Sequence, residues 1–325
     1  MIAETAQATQ NQASSRAEAV LSAWVAADPK SLELLQQARK VAVTSSTVLV
    51  RGESGTGKDL LASLMHYLGP HADEPLVKID CASLPLTLLE SELFGYERGA
   101  FTGASETKRG RLEMAGHGTI VLDEVAALSM PMQAKLLRVI EEKKFQRLGD
   151  NRTVDVEARL IALTNVDLEH AVARRTFRED LYYRLNVVPL VVAPLRERGA
   201  DIRPLANRLL AQLCEIHRKP QMSIAADAMA ALERYPFPGN VRELRNMLER
   251  AVIYGSAPQM VREDLPLHVR EAAGAREKQM TLEELERAYI AEILEYTRGK
   301  KTKAALILGI SRKTLLEKRK RYALD

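Results

Sequence analysis

An α/β fold, with a parallel sheet carrying helices on both faces, an all-α lid and a C-terminal helix-turn-helix, is what this chain of 325 residues predicts. Three observations carry it. Apolar runs at residues 47–50, 77–79, 120–122 and 160–163 alternate with helical stretches at 59–68 and 130–142, and strands separated by helices form parallel sheets. From Tyr235-Pro236-Phe237-Pro238-Gly239 onward the period is helical. The last 45 residues or so repeat that period around a turn at Gly309, among many basic side chains.

In order along the chain, residues 1–15 are rich in Ala, Gln, Thr, Asn and Ser and are expected to be disordered. They lack a basic segment followed by an apolar run, so they do not read as a signal peptide, and a cytoplasmic location is expected. Residues 16–27 read as a short helix with Val20, Leu21 and Trp24 on one face. The expected division is an N-terminal extension at 1–28, an α/β subdomain at 29–192, a helical lid at 193–269, a polar linker at 270–280 and a helical unit at 281–325. A composition of 46% hydrophobic and 28% charged residues suits a soluble globular chain and excludes membrane spans. Cys81 and Cys214 lie far apart without CxxC spacing, which argues against a disulfide framework or a zinc site.

The net charge of +4 is unevenly placed. Between Tyr296 and Tyr322 stand Arg298, Lys300, Lys301, Lys303, Arg312, Lys313, Lys318, Arg319, Lys320 and Arg321, against the single acid Glu317. A basic end on a balanced body suggests a nucleic-acid module.

The string Gly52-Glu53-Ser54-Gly55-Thr56-Gly57-Lys58-Asp59 follows the first apolar run and opens a helix, the setting a phosphate-binding loop requires. Its glycines let backbone N–H groups turn inward around phosphates, the helix N-terminus adds a favourable dipole, and Lys58 supplies a point charge. Asp59 stands where the general pattern has Ser or Thr for magnesium. Residues 118–124, Gly-Thr-Ile-Val-Leu-Asp-Glu, form an apolar strand ending in two carboxylates. Asp123 is the candidate for holding magnesium and Glu124 for polarising the attacking water. Thr164 and Asn165 end the next apolar run at the sheet edge, as candidate sensors of a terminal phosphate. Arg178 and Arg184, six residues apart, do not share one helix face, and either could reach a neighbour's nucleotide.

Between these two motifs lies Gly99-Ala100-Phe101-Thr102-Gly103-Ala104. Small residues around one Phe and one Thr make a loop that can pack tightly or rise and present an aromatic side chain to a partner.

From about residue 31 to the C-terminus the chain resembles the bacterial enhancer-binding proteins, the AAA+ activators of sigma-54 RNA polymerase. The carriers are the phosphate loop, Glu90-Ser91-Glu92-Leu93-Phe94-Gly95, the 99–104 loop, residues 118–124 and 177–185, Pro194-Leu195-Arg196-Glu197-Arg198 and Pro238-Gly239-Asn240-Val241-Arg242-Glu243-Leu244. The resemblance implies that Lys58, Asp123 and Glu124 bind and hydrolyse MgATP, with Gly52 to Asp59, Thr164, Asn165 and Arg242 around the nucleotide. It implies that Arg178 and Arg184 act in trans as arginine fingers and that residues 99–104 contact sigma-54. Residues 304–315 look like a Fis-type helix-turn-helix with Ser311 capping the recognition helix, and Ser311, Arg312, Lys313, Thr314, Glu317, Lys318 and Arg321 are the expected DNA-facing residues. The helix 282–296 would pair two chains and favour a dyad-symmetric site in upstream enhancer DNA. The implied assembly is a hexamer that remodels closed polymerase complexes into open ones.

Three departures stand out. Asp80 occupies a switch position where the family frequently has Asn, and it could pair with Glu124 only by sharing a proton. No sensory domain is expected ahead of residue 31, which makes a separate inhibitor or co-activator protein a candidate partner, although the loop 69–74 lacks the Trp that one such system uses. Leu306 replaces a usually polar residue and Arg319 a usually apolar one, so a shifted helix packing is expected. Two alternatives stay open: a DNA-binding AAA+ regulator with another client, and a non-hydrolysing DNA-binding repressor with a degenerate site.

Overall fold

Five short strands, β1 (Val48–Arg51), β2 (Leu76–Asp80), β5 (Thr119–Asp123), β8 (Arg159–Thr164) and β9 (Val188–Val191), pair in parallel in the order β2-β5-β8-β1-β9. Because side chains alternate across a strand, Leu49, Ile120, Leu122, Leu160 and Ala162 face one side while Val48, Val50, Val121, Ile161 and Leu163 face the other. The first side is covered by α3 (Leu86–Phe94), α5 (Met130–Glu142) and α7 (Glu179–Leu185), which contribute Leu89, Leu136 and Leu181. The second is covered by α1 (Pro29–Ala42) and α2 (Lys58–Tyr67), through Leu34, Ala38, Leu61 and Met65. Asp28 caps α1 by accepting from Lys30 N–H and is followed by Pro at the first helical position.

The computed structural model describes residues 18, 20–255, 257–275, 282–297 and 301–322, which fall into two compact units, Met1–Pro266 and Leu267–Asp325. Two antiparallel hairpins interrupt the α/β pattern: β3 (Gly95–Tyr96) with β4 (Lys108–Arg109), and β6 (Lys144–Gln146) with β7 (Thr153–Asp155). The short helices α4 (Arg111–Met114) and α6 (Leu168–Ala173) complete this part. The lid holds α8 (Ile202–Ile216), α9 (Ala226–Arg234) and α10 (Asn240–Tyr254), and it is not purely helical, since β10 (Ser223–Ile224) and β11 (Gln259–Met260) pair in parallel.

The second unit contains α11 (Leu267–Ala275) and then α12 (Leu282–Tyr296), α13 (Lys301–Ile307) and α14 (Arg312–Tyr322), the last three packed around Ile290, Ile293, Ala304 and Leu315. Its first helix corrects the expected linker at 270–280: helical geometry continues to Ala275, through Gly274, and 276–280 lie outside the described residues. The expected disordered segment 1–15 is likewise outside them, and of the expected helix 16–27 residues 18 and 20–23 are helical. Among the described residues no helix is long and apolar enough to cross a membrane.

Candidate functional site

The chain leaves β1 at Arg51 and turns through the phosphate loop into α2. Gly55 and Gly57 have φ of 78° and 104°, the left-handed region where a side chain is strained. Lys58, the first residue of α2, is buried and donates to the carbonyls of Gly52 at 2.8 Å and Glu53 at 3.2 Å. Burial lowers its ammonium pKa, and the charges of Glu124 and Asp123 push the other way, which puts both carboxylates within electrostatic reach of it.

Those carboxylates sit at the C-terminal end of β5. Asp123 Oδ1 accepts from Glu124 N–H at 3.0 Å, and burial followed by the nearby charge of Asp59 raises the Asp123 pKa. Glu124 has φ 52°, an unusual backbone for a non-glycine residue, and its Oε2 accepts from Asn165 N–H at 3.2 Å. Thr164 corrects the expectation of a sheet-edge position: β8 is the central strand, and Thr164 is fully buried with its Oγ1 accepting from Val166 N–H at 3.0 Å. The position is set by strand order, which spacing along the chain does not encode.

Asp80 stands beside Asp123 in the strand register, but its Oδ1 accepts from Ala82 N–H at 2.9 Å, while Glu124 is held by the Asn165 backbone. The shared-proton pairing of Asp80 with Glu124 is not formed. Asp59, in the first turn of α2, is ion-paired to Lys78 at 2.9 Å. No group of three or more His, Cys, Asp or Glu among the described residues forms a complete metal cage. Asp123, with Asp59 nearby, supplies hard oxygen donors of the kind that hold magnesium together with substrate phosphates.

The lid closes the loop from the other side. Arg242 Nη1 donates to Ser54 Oγ at 2.7 Å, and Arg198 Nη2 to the Thr56 carbonyl at 2.7 Å. Glu53, expected at the nucleotide, instead turns its carboxylate to Arg196 and Asn240 of the lid. These two lid residues were missed as partners of the loop, although both lie in strings that carry the resemblance. Trp24 was also missed: it is buried, and a Cβ built on Gly57 would lie 3.9 Å from its ring.

Arg178 holds the N-cap position of α7 without a side-chain cap and forks onto Asp180, Nε to Oδ1 at 3.0 Å and Nη2 to Oδ2 at 2.7 Å, whereas Arg184 within the helix reaches Glu141 at 2.9 Å. Both guanidinium groups are accessible and held by exposed pairs.

Residues 99–104 form the tip between β3 and β4. Gly99 N–H donates to the Ala104 carbonyl at 2.9 Å, closing the tip, and Phe101 stays 45% exposed with its edge on the Tyr96 ring at 4.9 Å. Thr102 is exposed and Ala104 buried, while Ala100 rests on Gly149. Beneath the tip, Arg147 bridges Glu97 at 2.6 Å and Glu113 at 2.9 Å.

In the second unit Gly309 has φ 66° and Ser311 Oγ accepts from Thr314 N–H at 3.0 Å, so the expected turn and cap are formed. Arg312, Lys313 and Glu317 are exposed on α14. Lys318 and Arg321 are ion-paired with Glu286 and Glu283 of α12, at 2.5 and 2.8 Å. Leu306 lies at the surface, 82% exposed, and Arg319 is half-buried.

Three families match successive parts of the chain: the Sigma-54 interaction domain at residues 24–191, the AAA+ ATPase lid domain at 196–282, and the Fis family of bacterial regulatory proteins at 281–322. The regulatory protein AtoC of Escherichia coli (strain K12) is 42% identical over 308 residues, covering 91% of this chain and 67% of the relative. The Nif-specific regulatory protein of Azotobacter vinelandii is 46% identical over 292 residues, covering 87% of this chain and 55% of that protein. Among solved structures, NtrX from Brucella abortus in complex with ATP aligns with a TM-score of 0.70 at 35% identity, covering 92% of this chain and 69% of that one.

Proposed function

This chain belongs to the sigma-54-interacting AAA+ ATPases that carry a Fis-type helix-turn-helix, and from that membership we propose that it binds enhancer DNA and uses ATP to remodel closed sigma-54 polymerase complexes. NtrX, similar over most of the chain, was solved with ATP, which supports the same ligand here. In this reading the N–H groups of residues 52–58 and the Lys58 ammonium hold the phosphates. Magnesium, held by Asp123 with Asp59 close by, would neutralise charge on the terminal phosphates. Glu124 orients and polarises the attacking water, with its carboxylate aimed by Asn165 N–H. Thr164 and Asn165 report on the terminal phosphate, and Arg242 reaches it from the lid.

Arg178 or Arg184 crosses into a neighbour's site within a hexamer, where an arginine of this kind contributes about 10³–10⁵ in rate. The single exposed contact of Arg184 with Glu141 exchanges cheaply for a phosphate partner, whereas Arg178 must leave its fork on Asp180 to take that role. Phe101 and Thr102 contact sigma-54, and Ser311, Arg312, Lys313, Thr314 and Glu317 read the DNA. Lys318 and Arg321 tie α14 to α12 and contact phosphates only at the cost of those pairs. The protein acts in the cytoplasm.

The observation that carries this reading is an exposed Phe101-Thr102 tip in one unit with a phosphate loop and a two-carboxylate strand end. Transcription in vitro from a sigma-54 promoter, with purified polymerase and ATP, tests it. Open complexes should form with the wild type and fail with Thr102→Ala, whose ATP turnover should stay within about twofold of the wild type because, among the described residues, no backbone hydrogen bond joins the tip to the phosphate loop. Parallel loss of both activities would sink the separation, and turnover without open complexes would assign another client. Removing residues 281–325 should abolish the advantage of a template with an upstream site while leaving ATP turnover.

A further inference from the structure

The phosphate loop has an outer face, and its acidic side chain belongs to that face. Arg196 approaches the Glu53 carboxylate as a two-pronged fork, Nη1 to Oε2 at 2.9 Å and Nη2 to Oε1 at 2.5 Å. Asn240 Nδ2 adds a bond to Glu53 Oε2 at 3.1 Å and another to the Ser54 carbonyl at 3.1 Å. Asn240 is completely buried, and its Oδ1 accepts from Leu195 N–H at 2.8 Å, so both ends of the amide are committed. Beside it, Val241 N–H donates to the Gly55 carbonyl at 3.0 Å. A side chain at Gly55 would lie 2.5 Å from the Gly239 carbonyl, so loop and lid backbones are in contact.

We propose that Glu53 is a clasp that fastens the lid to the phosphate loop and thereby sets the rate at which the nucleoside diphosphate leaves, with Arg196 and Asn240 as its positioning residues. The inference rests on the nucleotide reading of the site. It follows from geometry: the backbone of residues 53–56 would wrap the phosphates on its inner face, and the outer face of the same residues is bonded to the lid. The lid cannot swing from the loop without breaking the fork and the amide bonds together, and a loop so braced cannot relax around a departing diphosphate. A bidentate Arg–carboxylate pair is directional as well as attractive, which suits a latch better than a single Lys contact.

The test is the dissociation rate of a fluorescent ADP analogue, followed by displacement from the full chain. Glu53→Ala and Arg196→Ala should each release it about fivefold faster, which corresponds to ~1 kcal/mol at 1.4 kcal/mol per factor of ten. The double variant should also be about fivefold faster, because both changes break one clasp. Rates within about 1.5-fold of the wild type for Glu53→Ala, or a double variant equal to the product of the singles, would overturn the proposal. Should Glu53→Ala fail to fold, Glu53→Gln keeps the shape while losing the charge-assisted fork, and an unchanged rate there would overturn it equally. Failure of the wild type to bind the ADP analogue at all would refute the nucleotide reading, and the clasp with it.

Discussion

The phosphate loop and the 99–104 tip are both built from glycines and small residues, yet their glycines serve different physical needs. At Gly52 and Gly55 an added Cβ would lie 2.7 Å from the Val192 carbonyl and 2.5 Å from the Gly239 carbonyl, so the loop is hemmed in by neighbouring backbone. At Gly99 and Gly103 nothing lies within 4 Å, and the requirement is conformational alone, with φ of 86° and 104°. One segment, the seat, has glycines that leave room for neighbouring backbone; the other, the tip, has glycines that face open space and serve only the turn. The two segments should therefore respond to mutation in separable ways.

The largest effect that would sharpen this comparison is on chemistry alone. Glu124→Gln should lower ATP turnover by about 10²–10⁴-fold, the range for losing a group that assists proton transfer, while nucleotide binding measured by equilibrium titration persists. Turnover within tenfold of the wild type would remove Glu124 from its role.

Next comes the seat. Gly55→Ala drives a methyl group into the Gly239 carbonyl and also places a side chain at φ 78°, and neither can relax cheaply. Nucleotide affinity should fall by roughly tenfold or more, with a lower melting temperature, on the scale of overpacking at ~1–3 kcal/mol. An unaffected affinity would mean the lid yields at this seam.

Gly99→Ala should be milder and differently directed. With open space around it the only cost is backbone strain, about 1–2 kcal/mol confined to the tip. ATP turnover should be unchanged and open-complex formation reduced. A matching loss of nucleotide affinity would break the distinction between seat and tip.

The smallest effect concerns pH. Arg196, first, and Asn240 hold the Glu53 pKa down at about 2. A lowered carboxylate pKa contributes stability that is complete above its unfolded value near 4.5 and is lost as pH falls toward about 2. The difference in melting temperature between wild type and Glu53→Gln should thus be constant from pH 8 to about 5 and shrink below that. Because the pair is partly exposed, the whole difference should be a fraction of that for a buried pair, and a difference that grows on acidification would contradict the assignment.

Much of this was legible in the chain because its signals are local. The apolar strands, the phosphate loop, the two acids ending β5 and the Gly309 turn depend on neighbours within a few residues, and the expected residues occur there in the structure. The placement of Thr164 on the central strand was not legible, since strand order is a property of the assembled sheet. Nor were the partners of Glu53: Arg196 is 143 residues away and Asn240 is 187, and a glutamate inside a phosphate loop reads as a nucleotide ligand until the lid is seen beside it. The partner of Asp80 was not legible for a related reason. Its carboxylate has a nearer donor in Ala82 N–H, and a local turn satisfied it before a longer reach to Glu124 was needed.

Trp24 has a consequence of a more practical kind. It is the chain's single tryptophan, it is buried, and its indole Nε1 has no hydrogen-bond partner among the described residues. Its ring borders Gly57, where the phosphate loop becomes α2. Indole emission shifts with the polarity and hydrogen bonding around the ring, so fluorescence excited at the red edge of indole absorption, where the tyrosines do not absorb, reports on the flank of the phosphate loop. The molecule carries its own optical gauge of that seat, readable without any label.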